Sequence, residues 1–533
     1  MDPHPPSALP AQPARAAVSP RQLWIDAFLA QGGDAAGRCA AQQYLDASTA
    51  VYHGEVIAMG IIPMVYDEQA LAAFERITTV TLGILEKMTQ RFLDDPSYRR
   101  LFGFSPLLEE LVTLPSGYAR SIPITRIDLF FDEASGDFMF CEFNTDGSSA
   151  MNEDREICNA LSQTGVYATL SREGRLHAQE LFDPWVEAFC SLSRTHACLQ
   201  GIERPTVAIV DYQEKTTINE LVEFRRRFEH AGARCMICDM QGLVWRDETL
   251  WGSDCALDAN SSAQELTRID AVYRRAVTSD IMADLASRGI ERLPDMTPAV
   301  AYGAEALIAA VRAEAVCMIG GFRTQVAHSK TAFMMLRHPE TLRVMSDPER
   351  EFIERHVPLT TALARSTVDL AEVKRDKDRW IIKPVDGYGT QGVFAGKGVS
   401  QAAWEALVDE HAADDYVLQE YCEQYSVPNA LPLMPGAAGL EPFNVLTGLF
   451  VYDGRFGGVF TRAGRHPLIV GFHGGVSLGT FVWTAQGESP PTASAGLQAG
   501  SVRLRVPAPE SAVAPGSAAA PGNAAAPGRA ALL

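Results

Sequence analysis

Ile124-Thr125-Arg126-Ile127-Asp128-Leu129-Phe130-Phe131 and Phe138-Met139-Phe140-Cys141-Glu142-Phe143-Asn144 flank Asp132-Glu133-Ala134-Ser135-Gly136-Asp137, a segment of turn formers. Alternation on both sides of a turn predicts a β-hairpin. Successive side chains in a strand take opposite faces, so Ile127, Leu129, Phe131, Met139, Cys141 and Phe143 are expected in a core. The other face carries Arg126, Asp128, Glu142 and Asn144. With the loop symmetric about Ser135, Asp128 lies opposite Glu142 and Arg126 opposite Asn144. Two carboxylates about 5 Å apart repel by roughly 3 kcal/mol at an effective dielectric near 20. A hard divalent cation reverses that sign, and Asp, Glu and an amide oxygen are suitable Mg²⁺ ligands. A solvated antiparallel face is the plainer reading of the same residues. Asn144-Thr145-Asp146-Gly147 adds a turn signal after the strand and does not decide between them.

Composition narrows the function classes. The chain has 533 residues, 47% hydrophobic and 21% charged, which is ordinary globular usage and room for two to four domains. A net charge of -20 argues against a nucleic-acid backbone as partner, since such binding needs a basic surface. Ten cysteines lie scattered through apolar segments, without the density of a secreted disulfide scaffold, and read as reduced thiols. Cys235-Met236-Ile237-Cys238 is a lone C-x-x-C inside an apolar run, with no second pair or His cluster to complete a zinc site, so structural cysteines are expected. No apolar run reaches 18 residues, and 1–17 lacks a signal-peptide core. A cytoplasmic protein without membrane association is the expectation.

Five segments follow from the pattern. Residues 1–18 and 486–533 read as disordered tails, the second dominated by Ala, Pro, Gly and Ser with Ala-Pro-Gly repeated every six residues, a composition that buries too little apolar surface to order. Residues 19–200 read as a helical region plus the hairpin, with a long helix over 70–92 bounded by Asp67 and Asp94-Asp95-Pro96 and another helical stretch over 153–192. Within 201–328, Val207-Ala208-Ile209-Val210, a helix over 218–231 and a strand near Met236 form a β-α-β unit of a parallel sheet, which 269–273 and 315–319 extend. No G-x-G-x-x-G opens its helix, so a dinucleotide site there is not expected. Tyr273-Arg274-Arg275 ends one strand, placed either to face a ligand or to cluster on the surface.

The fourth segment, 329–485, holds the second motif. Trp380-Ile381-Ile382-Lys383-Pro384-Val385-Asp386 leads into Gly387, Gly389 and Gly392, after which Val393-Phe394-Ala395 reads as a second short strand. A glycine loop between strands, rather than before a helix, is a hairpin whose backbone amides can approach a triphosphate because no Cβ intervenes. Protein kinases use such a loop, yet their lysine follows it and an H-R-D signature comes later, whereas Lys383 precedes this loop and no H-R-D occurs. Tyr416-Val417-Leu418-Gln419-Glu420-Tyr421 is a strand suited to offering backbone hydrogen bonds to adenine. Residues 450–462 read as a hairpin with an Asp453-Gly454 turn, ending on Arg462 before the loop Gly474-Gly475-Val476.

Taken in order, R-x-D then E-x-N, a β/α unit, Ser329-Lys330 before a helix, K-P with a glycine loop, Q-E-Y, and an arginine followed by G-G-V resemble the circularly permuted ATP-grasp ligases. The likeness is to the glutathionylspermidine synthetase and eukaryotic-type glutathione synthetase group, over roughly residues 115 to 482. It implies an α/β (α+β) chain: an ATP-grasp fold with an inserted parallel β/α substrate domain and a helical N-terminal region. By matching position it implies Asp128, Glu142 and Asn144 as Mg²⁺ ligands, and Arg126 as a contact to the transferring phosphate. Lys330 and Lys383 would bind ATP phosphates, with Gly387, Gly389, Gly392, Gln419, Glu420 and Tyr421 completing the nucleotide site. Arg462 and the Gly474-Gly475-Val476 loop resemble elements that close over substrate. The chain departs from the glutathione synthetases in having Asp386 near the position of a glutamate after K-P and Gly464 where a lysine follows the arginine. Nothing resembles the amidase domain that can accompany the spermidine-linked enzymes.

The resemblance implies an ATP-dependent carboxylate–amine ligase acting through an acylphosphate, with ATP and Mg²⁺ as cofactors and a small-molecule acid and amine as substrates. Arg126, Lys383 and Arg462 are the catalytic candidates. A phosphotransferase on the same fold, a non-catalytic nucleotide-binding module, and a redox or zinc protein built on Cys235 and Cys238 are the competing readings. His53, Arg120 and Tyr273 are candidate substrate contacts.

Overall fold

The structure is a computed structural model describing residues 19–485, apart from 53, 256–264, 388, 413–414 and 434–438. Both expected disordered tails, His53 and Tyr388 therefore lie outside the described residues. Strands Ile124–Phe131 and Phe138–Asn144 pair antiparallel with Arg126 opposite Asn144 and Asp128 opposite Glu142, the expected register. Below that pair the ladder slips by one. Leu129 faces Phe140, so Cys141 is an extra residue with no partner on the other strand, a β-bulge.

The bulge changes which side chains enter the core. Phe138, Phe140 and Phe143 join Ile127, Leu129 and Phe131 there. Met139 and Cys141, expected in that core, are only half-buried, and Cys141 packs instead against Phe130, Leu446 and Ile469 on the opposite face. A period-2 pattern assumes unbroken pairing, and one extra residue inverts every side chain beyond it.

The hairpin is the edge of a six-stranded antiparallel sheet ordered Val476–Leu478, Arg455–Gly464, Glu441–Tyr452, Ile124–Phe131, Phe138–Asn144, with Ser426–Asn429 also paired to Glu441–Tyr452. Asp453 (φ 45°) and Gly454 (φ 82°) make its second hairpin turn, both in the left-handed region that a tight two-residue turn requires. Helix Glu68–Asp94 closes one face. The Asp67 carboxylate accepts from the Ala70 N–H and caps it, while Phe74, Leu85, Met88 and Phe92 pack into the hairpin's core.

Cys317–Ile319, Ala271–Arg274, Thr206–Asp211 and Arg234–Asp239 form a wholly parallel sheet in that order, as the continuous apolar runs predict. Helices Phe182–Ser193 and Ile218–His230 cover one face. Cys235 packs on that face and Cys238 on the other, so the C-x-x-C thiols point away from each other. Burial pushes the Cys235 thiol up to about 12. The helix expected over 153–192 is interrupted. It consists of Met151–Leu161, Gly165–Leu170 and Phe182–Ser193, separated in part by strand Leu176–Ala178, which pairs with Thr480–Trp483. Gly165 and Gly174 (φ 67°) mark the breaks.

A further antiparallel sheet runs Thr360–Ala362, Tyr416–Glu420, Trp380–Pro384, Phe394–Ala395 over a small core of Ile382, Trp404, Val408 and Leu418. The glycine segment thus does connect two strands. No described helix is long and apolar enough to cross a membrane.

Candidate functional site

On the hairpin's polar face, Arg126 grips Asp128 with two hydrogen bonds, Nε to Oδ1 at 2.7 Å and Nη2 to Oδ2 at 3.0 Å. Arg462, from the strand two places away, donates Nη2 to Asp128 Oδ2 at 2.8 Å and stands 3.7 Å from Glu142 Oε1. Two guanidinium groups therefore offset the charge of the opposed carboxylates. The bidentate fork suits a buried carboxylate, and Asp128 is only 1% exposed. Burial opposes the Arg126 charge, but Asp128 outweighs it and raises the pKa of the guanidinium. Across the ladder from Asp128 stands Gly448, where an added Cβ would lie 2.8 Å from both Arg126 Cδ and Asp128 Oδ1. Gly448→Ala is expected to lower stability by about 1–3 kcal/mol through this overpacking, read as a drop in the denaturation midpoint.

Lys330 and Lys383 converge on the same place. Lys383 donates to Gln419 Oε1 at 2.7 Å and to the Cys141 carbonyl at 3.2 Å. Lys330 precedes helix Thr331–Leu336; its N–H donates to Val385 O at 2.9 Å and its Nζ to Gly387 O at 2.9 Å, which ties it to the glycine loop. Gly387, Gly389 and Gly392 have φ of 132°, 66° and 69°, a backbone that side chains resist. Burial lowers the Lys330 pKa, against the pull of Glu142. Burial likewise tends to raise the Glu142 carboxyl, but Lys330, Arg462, Lys383 and Arg126 overcome it and hold it at about 2. A depressed folded value means that the charged form stabilises the fold above the unfolded carboxylate range and loses that effect as pH falls toward 2. Glu142→Gln is expected to flatten this part of the acid limb of a stability-versus-pH curve.

These groups line a cleft of about 810 Å³, part of it open to solvent, between the six-stranded sheet and the glycine-bearing sheet. Glu142, Lys330, Lys383 and Arg462 stand at its polar end, and Phe130, Leu446 and Ile469 form an apolar wall. Gly387, Gln419, Glu420 and Tyr421 also line it. Asp128 and Arg126 lie behind this lining, and Asn144 Nδ2 sits 3.5 Å from Glu142 Oε1. Asp386 turns to its own loop and a neighbouring helix, accepting from Gly387 N and Gln325 Nε2, each at 2.8 Å. Among the described residues no three His, Cys, Asp or Glu side chains gather as a metal site.

Other expected contacts do not join the cleft lining. Tyr273 is in the core between the parallel sheet and its helices, because Trp185, Phe224 and Phe228 surround its ring. Arg120 pairs with Glu86 and Asp453. Arg274 pairs with Asp146 and Arg275 with Glu220, whose other oxygen accepts the N–H groups of Ala150, Met151 and Asn152 at the start of a helix. Sequence reasoning missed the apolar wall, since Phe130, Leu446 and Ile469 are far apart in the chain and carry no shared pattern.

No protein-family model and no curated protein matches the chain. Among solved structures, a glutathione synthetase-like effector from Globodera pallida in its apo form aligns at 11% identity and a TM-score of 0.49, over 84% of this chain and 96% of that one. A putative gamma-glutamylcysteine synthetase from Methylobacillus flagellatus aligns at 10% identity and TM-score 0.32, over 78% and 89%. A D-alanyl-alanine synthetase A from Vibrio cholerae aligns at 11% identity and TM-score 0.25, over 46% and 68%.

Proposed function

We propose that the chain is an ATP-dependent carboxylate–amine ligase of ATP-grasp type, related to the glutathionylspermidine synthetase group, with 201–328 as its substrate domain and 329–485 as its nucleotide-binding part. The observation that carries this reading is the charge of the cleft: Lys330, Lys383, Arg126 and Arg462 surround Glu142 and Asp128, beside an apolar slot. That excess of cations suits a polyanion, and the slot suits a flat heterocycle, so ATP fits both ends.

In this reading Lys330 and Lys383 hold the phosphates, Arg462 faces the charge that spreads over the γ-phosphoryl oxygens as it passes to a substrate carboxylate, and Arg126 adds positive potential from behind the lining. An amine then attacks the acylphosphate carbon, an amide forms and phosphate leaves. Glu142 and Asn144 offer hard oxygen donors for Mg²⁺, which would supply further neutralisation of the phosphates. Asp128, with its oxygens on guanidinium groups, orients Arg126 and Arg462. No protein nucleophile takes part.

An ADP-release screen of amino acids, short peptides and polyamines with MgATP tests the reading, with the product analysed by mass spectrometry. Release that needs both an acid and an amine, with an amide product, supports it. A phosphorylated product that persists with amine present would favour a phosphotransferase. MgATP binding without release for any pair would leave a non-catalytic module.

A further inference from the structure

Lys383 is 6% exposed, and the groups that hold it are neutral. Its ammonium has three N–H donors, of which one goes to the Cys141 carbonyl and one to Gln419 Oε1. Gln419 is buried in turn, and its Nε2 donates to Thr360 Oγ1 at 2.9 Å. The Thr360 hydroxyl donates to Pro358 O at 3.0 Å, so its oxygen is left to accept, and this fixes which end of the Gln419 amide faces the lysine. The strand register explains the alignment: Gln419 lies opposite both Thr360 and Ile381, two residues from Lys383, so all three side chains share one face of the sheet.

A buried lysine is usually held by a carboxylate, which satisfies its donors and cancels its charge together. Here the holder is an amide, which supplies the hydrogen bond without a countercharge. We propose that Gln419 and Thr360 are positioning residues that fix Lys383 for a nucleotide phosphate while adding no countercharge to the one Glu142 already presents across the cleft. The inference rests on the nucleotide-binding reading above and deepens it: Gln419 acts through the lysine with its side chain, whatever its backbone offers to the base.

Substitution at one position separates this role from a structural one. Gln419→Glu keeps the size and the acceptor but adds a charge next to Lys383. Gln419→Met keeps the approximate size, removes the hydrogen bonds and adds no charge. If charge sparing matters, MgATP titrated into the full chain by calorimetry binds Gln419→Glu about 10-fold or more weakly than wild type, with Gln419→Met in between. A purely structural role gives the reverse order, because Glu still bonds the lysine. Thr360→Val, which releases the amide, is expected to weaken MgATP several-fold. Thermal melts of each variant establish folding, and should Gln419→Met fail to fold, Gln419→Glu and Thr360→Val still decide. Gln419→Glu binding within about twofold of wild type, or more tightly than a folded Gln419→Met, overturns the proposal. A wild-type chain that binds no MgATP overturns the nucleotide reading itself, a result distinct from either order of the variants.

Discussion

In the proposed ligase reaction, Lys383→Ala is expected to reduce amine- and acid-dependent ADP release by at least about 10²-fold, the range found when one preorganised donor to a developing anion is removed. The lysine is fixed before any ligand arrives, by Gln419 and the Cys141 carbonyl, so little reorganisation attends the reaction. Removing it leaves those two acceptors short of a donor in a buried place, at a stability cost of about 1–3 kcal/mol. Lys383→Met fills more of the space and lessens the void, and should lose activity equally. Turnover at the wild-type rate in folded Lys383→Met would remove the lysine from the mechanism.

Arg274→Met is expected to give the largest loss of stability, about 3–5 kcal/mol, because it strands the Asp146 carboxylate in the interior. Both side chains are essentially inaccessible, at 0% and 1% exposure. Asp146 also accepts the Thr278 N–H at 2.6 Å, and Arg274 donates to the Ala276 carbonyl at 2.7 Å, so the pair joins the segment after the hairpin to the end of the parallel sheet. Burial alone would raise the Asp146 carboxyl; Arg274, with His328 and Thr278, overcomes it and holds the group below its usual range. In the wild type this contribution is therefore present above the unfolded carboxylate value and fades as pH falls through the folded one. Without Arg274 the burial effect wins and the sign reverses, so Arg274→Met should regain part of its lost stability on acidification. Urea midpoints across pH 4–8 for both proteins measure this. Parallel curves would show that the charge of Asp146 is not what the arginine offsets.

Much of the architecture is readable from the chain because its strands obey simple periodicities. The hairpin register follows from alternation about a turn, the parallel sheet from short apolar runs around a helix, and the Asp67 cap from its place before a long amphipathic stretch. What escapes is whatever one residue or one distant partner decides. The bulge at Cys141 has no signature in composition, and it moved Met139 and Cys141 out of the expected core. The pairing of Arg126 with Asp128 two positions along the same strand is compatible with the alternating pattern but not dictated by it. Nor does spacing bring Arg462, 334 residues further along the chain, to the same carboxylate. The approach of Lys330 and Lys383 is long-range, and spacing alone contains nothing that brings it out. It is the ordered set of motifs, taken as a resemblance, that put the two lysines together in advance.

The unmatched residue at Cys141 has a consequence for how this chain tolerates change. Its carbonyl is the point at which one sheet hydrogen-bonds to the lysine of another. Deleting it would restore an unbroken ladder and shift the aromatic half of the strand relative to Glu142, making the hairpin more regular as it lost its hold on Lys383. Changes of length in the turn at 132–137 lie beyond that irregularity and leave the acidic pair in place. Insertions and deletions along this hairpin are thus unequal: the tip is free to drift in length, whereas a single position in the middle of the strand is a fixed count.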